Sequence, residues 1–306
     1  VKKPNWQEAV FEATERYHCP AFIDNDPIQI PHLFTQRTDI EVAGFFAALF
    51  SWGNRTTIIS KARDLMRRMD NAPGDFVRSS TQREWASVQG FAHRTFQDTD
   101  LLFLIDFLHR HYSQYSSLED AFLKRAESMA GESAAGQATA GESAAGQATA
   151  GESAAGESTV GESTAGEFDG RQRLQAFHER VFAVEWAPAR TRKHVPSPNR
   201  GSRCKRLNMF LRWMVRRDAL GVDFGLWQRI SPASLMMPVD VHVERVALQW
   251  GLLSGKERGW HAVEALTAQM RLLDPEDPVR FDYGLFSLGV EQKAIQLHPT
   301  KSPNRR

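Results

Sequence analysis

Residues Ile40–Met69, IEVAGFFAALFSWGNRTTIISKARDLMRRM, set the fold class. Val42, Phe45, Phe46, Leu49 and Phe50 recur at the three- and four-residue spacing of one helical face, until Gly53 and Asn54 break the pattern. A second helix follows with Ile58, Ile59, Ala62, Leu65 and Met66. The same periodicity recurs outward in both directions. Asp98–Tyr112 spaces Leu101, Leu102, Ile105 and Leu108 as a helix does, and Leu118–Arg125 is another candidate. Further on, Arg171–Phe182, Lys205–Arg216, Val241–Trp250, Trp260–Leu273 and Val279–Leu288 carry helical patterns, with Asp277-Pro278 as a helix start. Near Phe22–Ile30 two strands are conceivable, but Pro20, Pro27 and Pro31 argue against a sheet. The expected fold is all-α.

The 306 residues, 42% hydrophobic and 10% aromatic, suffice for a large core in one or two domains. They divide into a helical half (1–129), a low-complexity acidic insertion (130–170), a second helical half (171–290) and a basic tail (291–306). The insertion repeats AGESAAGQAT and close variants, and it lacks the large apolar side chains that would offset the entropy of ordering, so a disordered loop is expected. The cost of closing such a loop grows slowly with its length.

The net charge of +1 hides an asymmetry, because the insertion holds seven acids and no Lys or Arg. Setting those seven aside leaves 30 acids against 38 Lys and Arg, an excess of +8 that suits a polyanion. A solvated basic face is the plainer reading of the same excess. No apolar run approaches the roughly 20 residues that span a bilayer. Lys2 and Lys3 are not followed by an apolar signal core, so no membrane partner and a cytoplasmic location are expected. Cys19 and Cys204 are too few for a disulfide framework or a four-cysteine cluster, and ten scattered His lack ligand spacing. Neither metal nor cofactor is called for. Asp274, Glu276, Asp277 and Asp282 read as a loop and helix cap rather than as a metal site.

The most informative short stretch is Met237–Val246, MPVDVHVERV. Pro238 cannot extend a preceding helix and Asp240 is a good N-cap, after which Val243, Val246, Ala247 and Trp250 share one face. A cap alone would account for Asp240. Upstream, however, Ala187–Arg217 holds ten Lys or Arg and no acid, and ends in the amphipathic CKRLNMFLRWMVRR. A carboxylate and Lys205 sharing a cationic cleft is therefore expected, although the two stand 35 positions apart in sequence.

Three segments carry a resemblance: PVDVHVERV (238–246), RGSRCKRLNMFLRWMV (200–215) and AALFSWGNRTTIISKA (47–62). In this order they resemble the helix-hairpin-helix (HhH-GPD) DNA glycosylase superfamily, which includes the endonuclease III class and archaeal 8-oxoguanine glycosylases. The chain looks like a divergent bacterial branch, and the likeness runs from about Asp39 to Gly289. It implies a bilobal helical fold with a catalytic cleft between the lobes. It also implies Asp240 as the catalytic carboxylate and Lys205 as the nucleophile of an abasic-site lyase. Gly201 takes the first hairpin glycine position, while Arg203 stands where a second glycine is expected and Asn199-Arg200 replaces Leu-Pro. Ser51 matches the family's Ser-x-Gln-x-Thr, but Gly53 falls on the Gln and Arg55 on the Thr, leaving Asn54 or Arg55 to fill the space of an extruded base. The cysteine cluster of the endonuclease III class is missing, which excludes its iron-sulfur appendage.

Arg200, Gly201, Ser202 and Arg203, with Arg206 beside Lys205, form the expected phosphate grip ahead of a helix N-terminus. His242 is placed to contact phosphate or orient its helix, and Trp52, Trp213, Phe281 and Phe286 are candidates for the wall against a flipped base. Such aromatics at helical spacing more often face the core. The expectation is a monomeric base-excision glycosylase acting on damaged DNA, with lyase activity if Lys205 attacks the sugar. RNA as the polyanion stays open. The rivals are a helix-hairpin-helix module that binds nucleic acid without chemistry, and a helical scaffold for acidic proteins.

Overall fold

From Ile40 to Phe50 every residue is buried, Glu41 included, so this helix is enclosed on all sides and occupies the centre of its surroundings. The computed structural model describes residues 5–79, 81, 83–124 and 169–297. The acidic repeat and the Lys301–Arg306 tail, for which expectations are given above, lie outside the described residues.

The chain begins with α1 (Trp6–Tyr17) and the single turn α2 (Ala21–Asp24), followed by α3 (Arg37–Phe50), α4 (Arg55–Arg68) and α5 (Pro73–Ser79). A hairpin of two residues per strand, β1 (Ala92–His93) and β2 (Phe96–Gln97), is antiparallel and leads into α6 (Asp98–Tyr112). From the last residue of the 130–170 stretch onward come α7 (Gly170–Val181), α8 (Lys205–Val215), α9 (Val241–Trp250), α10 (Trp260–Leu273) and α11 (Asp282–Leu297). The fold is all-α, with that hairpin as its small departure. Among the described residues no helix is long and apolar enough to cross a membrane.

The central α3 packs on α4, α5 and α8, while α11 packs on α1 and α9. Phe45 of α3 meets Phe177 of α7 at 5.9 Å and Phe210 of α8 at 5.7 Å between ring centres, and Phe122 stacks on Phe177 at 4.1 Å. Side chains from before and after the insertion thus interlock in one core. Gly289 permits the close approach of α11 to α9, since a Cβ there would fall 2.4 Å from the carbonyl oxygen of His242.

Two buried charge systems fix these elements. Glu41 accepts hydrogen bonds from Tyr112 Oη (2.7 Å), Ser117 Oγ (2.6 Å), Leu118 N (2.9 Å), Trp227 Nε1 (2.8 Å) and Arg37 Nε (3.1 Å). A carboxylate so surrounded has its lost hydration replaced. At the end of α8, Arg212 pairs with Asp282 and Asp223, and Arg216 with Asp277, Asp223 and Asp218; His18, after α1, also meets Asp218. This ladder ties α8 to the start of α11 and to the N-terminal helix.

Several expectations change. α1 was not anticipated, and neither was the hairpin. Leu118–Phe122 is a 3-10 turn rather than a helix. Asp277 stands at an N-cap position without capping, because its carboxylate goes to Arg216; Pro278–Phe281 is 3-10 and the α-helix begins at Asp282. That helix runs through Leu297, so the stretch taken as a tail from 291 begins inside it.

Candidate functional site

Pro238 lies in the irregular segment ahead of α9, and Asp240 opens that helix in an extended conformation, with Oδ1 accepting from His242 N at 2.8 Å and Val243 N at 3.0 Å. That cap uses one oxygen and leaves the other. Oδ2 lies 3.9 Å from Nζ of Lys205, the first residue of α8, whose ammonium also lies 3.5 Å from Met209 Sδ. The two side chains are 18% and 23% exposed, so the pair is sheltered but reachable. The buried ladder at the far end of α8 holds the helix that presents Lys205.

Both residues line a cavity of about 760 Å³. Ser51, Trp52 and Gly53 reach it from the loop between α3 and α4, Arg55 and Ile58 from α4, and Phe286 and Val290 from α11. Arg55, Lys193, Arg203, Lys205 and Arg206 face two acids, Asp26 and Asp240, so the lining is cationic. Several of these cations are already committed. Arg203 makes a two-pronged ion pair with Glu244 of α9, with Nη1 to Oε2 at 2.9 Å, and this hydrogen bond holds the Glu244 carboxyl below its ordinary range. Arg206 donates to the carbonyls of Leu49 and Lys193, and burial lowers its pKa to about 10. Arg55 lies over the Phe286 ring at 5.3 Å. His242 meets the same ring edge-on at 5.8 Å, with Nδ1 3.3 Å from the carbonyl of Gly289. Burial pushes the Cys204 thiol up to about 12, which makes it inert.

The segment before α8 is a tight turn. Pro198–Arg200 is 3-10, Gly201 is left-handed at φ 74°, and the next left-handed residue is Cys204 at φ 48° rather than Arg203. The amides of Arg200, Gly201 and Cys204 are satisfied by Ser197 O, Pro198 O and Ser202 Oγ. Among the described residues the N–H groups of Ser202 and Arg203 have no hydrogen-bond acceptor.

The expected site residues separate into four groups. Asp240, Lys205, Ser202, Arg203, Arg206, Arg55, His242, Trp52 and Phe286 share the cavity. Arg200 and Gly201 are exposed beside it. Trp213 and Phe281, expected on the base wall, are fully buried core residues, with Phe281 packed edge-on against Phe11 at 5.0 Å; both are corrected to structural roles. Asn54, expected as a space-filling side chain, instead caps α4 by accepting from Thr57 N at 3.1 Å. Sequence reasoning missed Asp26. Its Oδ1 accepts from Ile28 N at 3.1 Å, and burial raises its carboxyl against the pull of that amide and of Arg212, Arg55 and Lys205. Asp26-Pro27 is a readable turn start, but nothing in those two residues shows that they enter a cavity.

Fold and cavity together define an all-α protein with a lysine–aspartate pair in a cationic, aromatic-walled site. The chain belongs to the family described as protein of unknown function (DUF2400), whose model matches residues 26–291. No curated protein and no solved structure matches it.

Proposed function

We propose that this protein is a base-excision DNA glycosylase with abasic-site lyase activity, acting on a damaged base flipped from the duplex into the cavity. The observation that carries the reading is the approach of Lys205 Nζ to within 3.9 Å of Asp240 Oδ2. Breaking an N-glycosidic bond builds positive charge on the sugar, and a carboxylate held in place stabilises that charge more than it stabilises the bound substrate. A neutral lysine amine is a nucleophile for the same carbon and yields a Schiff base. Trp52 and Phe286 supply apolar faces for an extruded base, and the Ser202 and Arg203 amides supply anion donors for its phosphate.

On this reading the helices form the bilobal HhH-GPD arrangement with the cavity as its cleft. The protein works as a monomer in the cytoplasm, on DNA. A binding module without chemistry is the second reading, favoured by the commitment of Arg203 to Glu244 at the position where the related hairpins carry glycine. Base release by Asp240→Asn separates the two. Asn keeps the cap of α9, so loss of release with duplex binding intact supports the enzyme. Absence of release in the wild-type protein on every lesion, with binding retained, supports the module.

A further inference from the structure

Gly53 has φ 106°, and a Cβ built on it would fall 2.2 Å from Nη1 of Arg94. The space beside this residue, which lines the cavity, is taken by a side chain from another element. Arg94 sits at the turn between β1 and β2 with φ 56°, a left-handed conformation that disfavours a side chain, and such strain is commonest where a residue is held for use. Its guanidinium carbon lies 4.6 Å from the centre of the Trp52 ring. His93 of the same hairpin hydrogen-bonds the carbonyl of Phe50 through Nε2 at 3.1 Å and meets Trp52 edge-on at 5.8 Å, which fixes the hairpin to the loop. Arg94 is exposed, and among the described residues it has no carboxylate and no hydrogen-bond partner. A planar cation therefore lies on an indole that itself lines the cavity, with donors free. The two residues that the sequence offers for this place are engaged elsewhere: Asn54 caps α4 and Arg55 covers Phe286.

The geometry points to Arg94 as a nucleobase-contacting residue, whose guanidinium enters the base stack where the flipped nucleotide has left and donates to the unpaired base opposite. This rests on the glycosylase reading. A guanidinium stacks on neighbouring bases and presents a flat fork of donors, which a lysine ammonium cannot do. Gly53 makes room for it.

The test uses the full chain and two duplexes of one sequence, one intact and one with a tetrahydrofuran abasic site facing 2-aminopurine. Wild-type protein is expected to prefer the abasic duplex by about tenfold or more and to change the 2-aminopurine fluorescence. Arg94→Asn tolerates the left-handed backbone and is expected to lose about tenfold of that preference together with the fluorescence change. Arg94→Lys keeps the charge and is expected to lose both as well. Full preference in both variants, or rescue by Lys, overturns the role of Arg94 while leaving the glycosylase reading standing. A wild-type protein with no preference for the abasic duplex overturns both.

Discussion

Asp240 carries two duties through two oxygens, and its variants separate them. Asp240→Asn keeps an acceptor for the His242 and Val243 amides, so stability should change by less than about 0.5 kcal/mol while base release falls about 100-fold or more. Asp240→Ala removes the cap as well and should cost about 1 kcal/mol in denaturant unfolding. Equal stability of the two variants would deny the capping role. Glu41, by contrast, is structural: Glu41→Ala strands the buried donors of Tyr112, Ser117 and Trp227, and urea melts should show a loss of about 3 kcal/mol or more. At this scale the sequence discloses Asp240 and Lys205, because one opens a patterned helix and the other sits in an acid-free basic run. Asp26 and Arg94 leave no such trace. Their roles depend on which elements lie beside them, which spacing along the chain does not encode.

The long periodic helices α3, α4, α6, α9 and α10 are legible because each places large apolar residues on one face over several turns. α1 was hidden, since its buried residues are only Val10, Ala13 and Thr14 among exposed charges. The hairpin was hidden too, because two residues per strand are too few to alternate and its left-handed residue is Arg94 rather than glycine or asparagine. The basic run shows the reverse error. Of its ten cations, Arg190, Arg203, Arg212 and Arg216 pair with Asp100, Glu244, Asp282 and Asp277, and Arg206 binds carbonyls, so at least half of the run is engaged in contacts within the chain. The slope of log affinity for duplex DNA against log salt should therefore be roughly −4 to −6, not the roughly −9 that ten phosphate contacts would give. Affinity indifferent to salt would contradict the nucleic-acid reading.

Across the whole molecule, one carboxylate of the ladder linking α8, α11 and α1, Asp282, makes stability respond to pH in a direction opposite to an ordinary salt bridge. Asp282 is buried beside Arg212, which keeps its charge among several carboxylates. Burial, with help from Asp240 and Asp223, pushes the Asp282 carboxyl up to about 6 from 3.8. A carboxyl raised in the folded state contributes stability below about pH 4 that is lost as pH rises to about 6. Between those values the wild-type protein should lose about 3 kcal/mol relative to Asp282→Asn, a shift of about two pKa units, read from urea melts across the range. Parallel pH profiles would place the strain elsewhere. The same ladder holds the helix that brings Lys205 to Asp240 across 35 positions of sequence, and the proposed chemistry depends on this meeting. The measurement that tests it most directly is borohydride trapping of the full chain on duplexes containing 8-oxoguanine, uracil, oxidised pyrimidines or an abasic site. A covalent protein–DNA adduct formed by the wild type and lost in Lys205→Ala is the predicted result. No adduct on any duplex, or an adduct undiminished in Lys205→Ala, would contradict it.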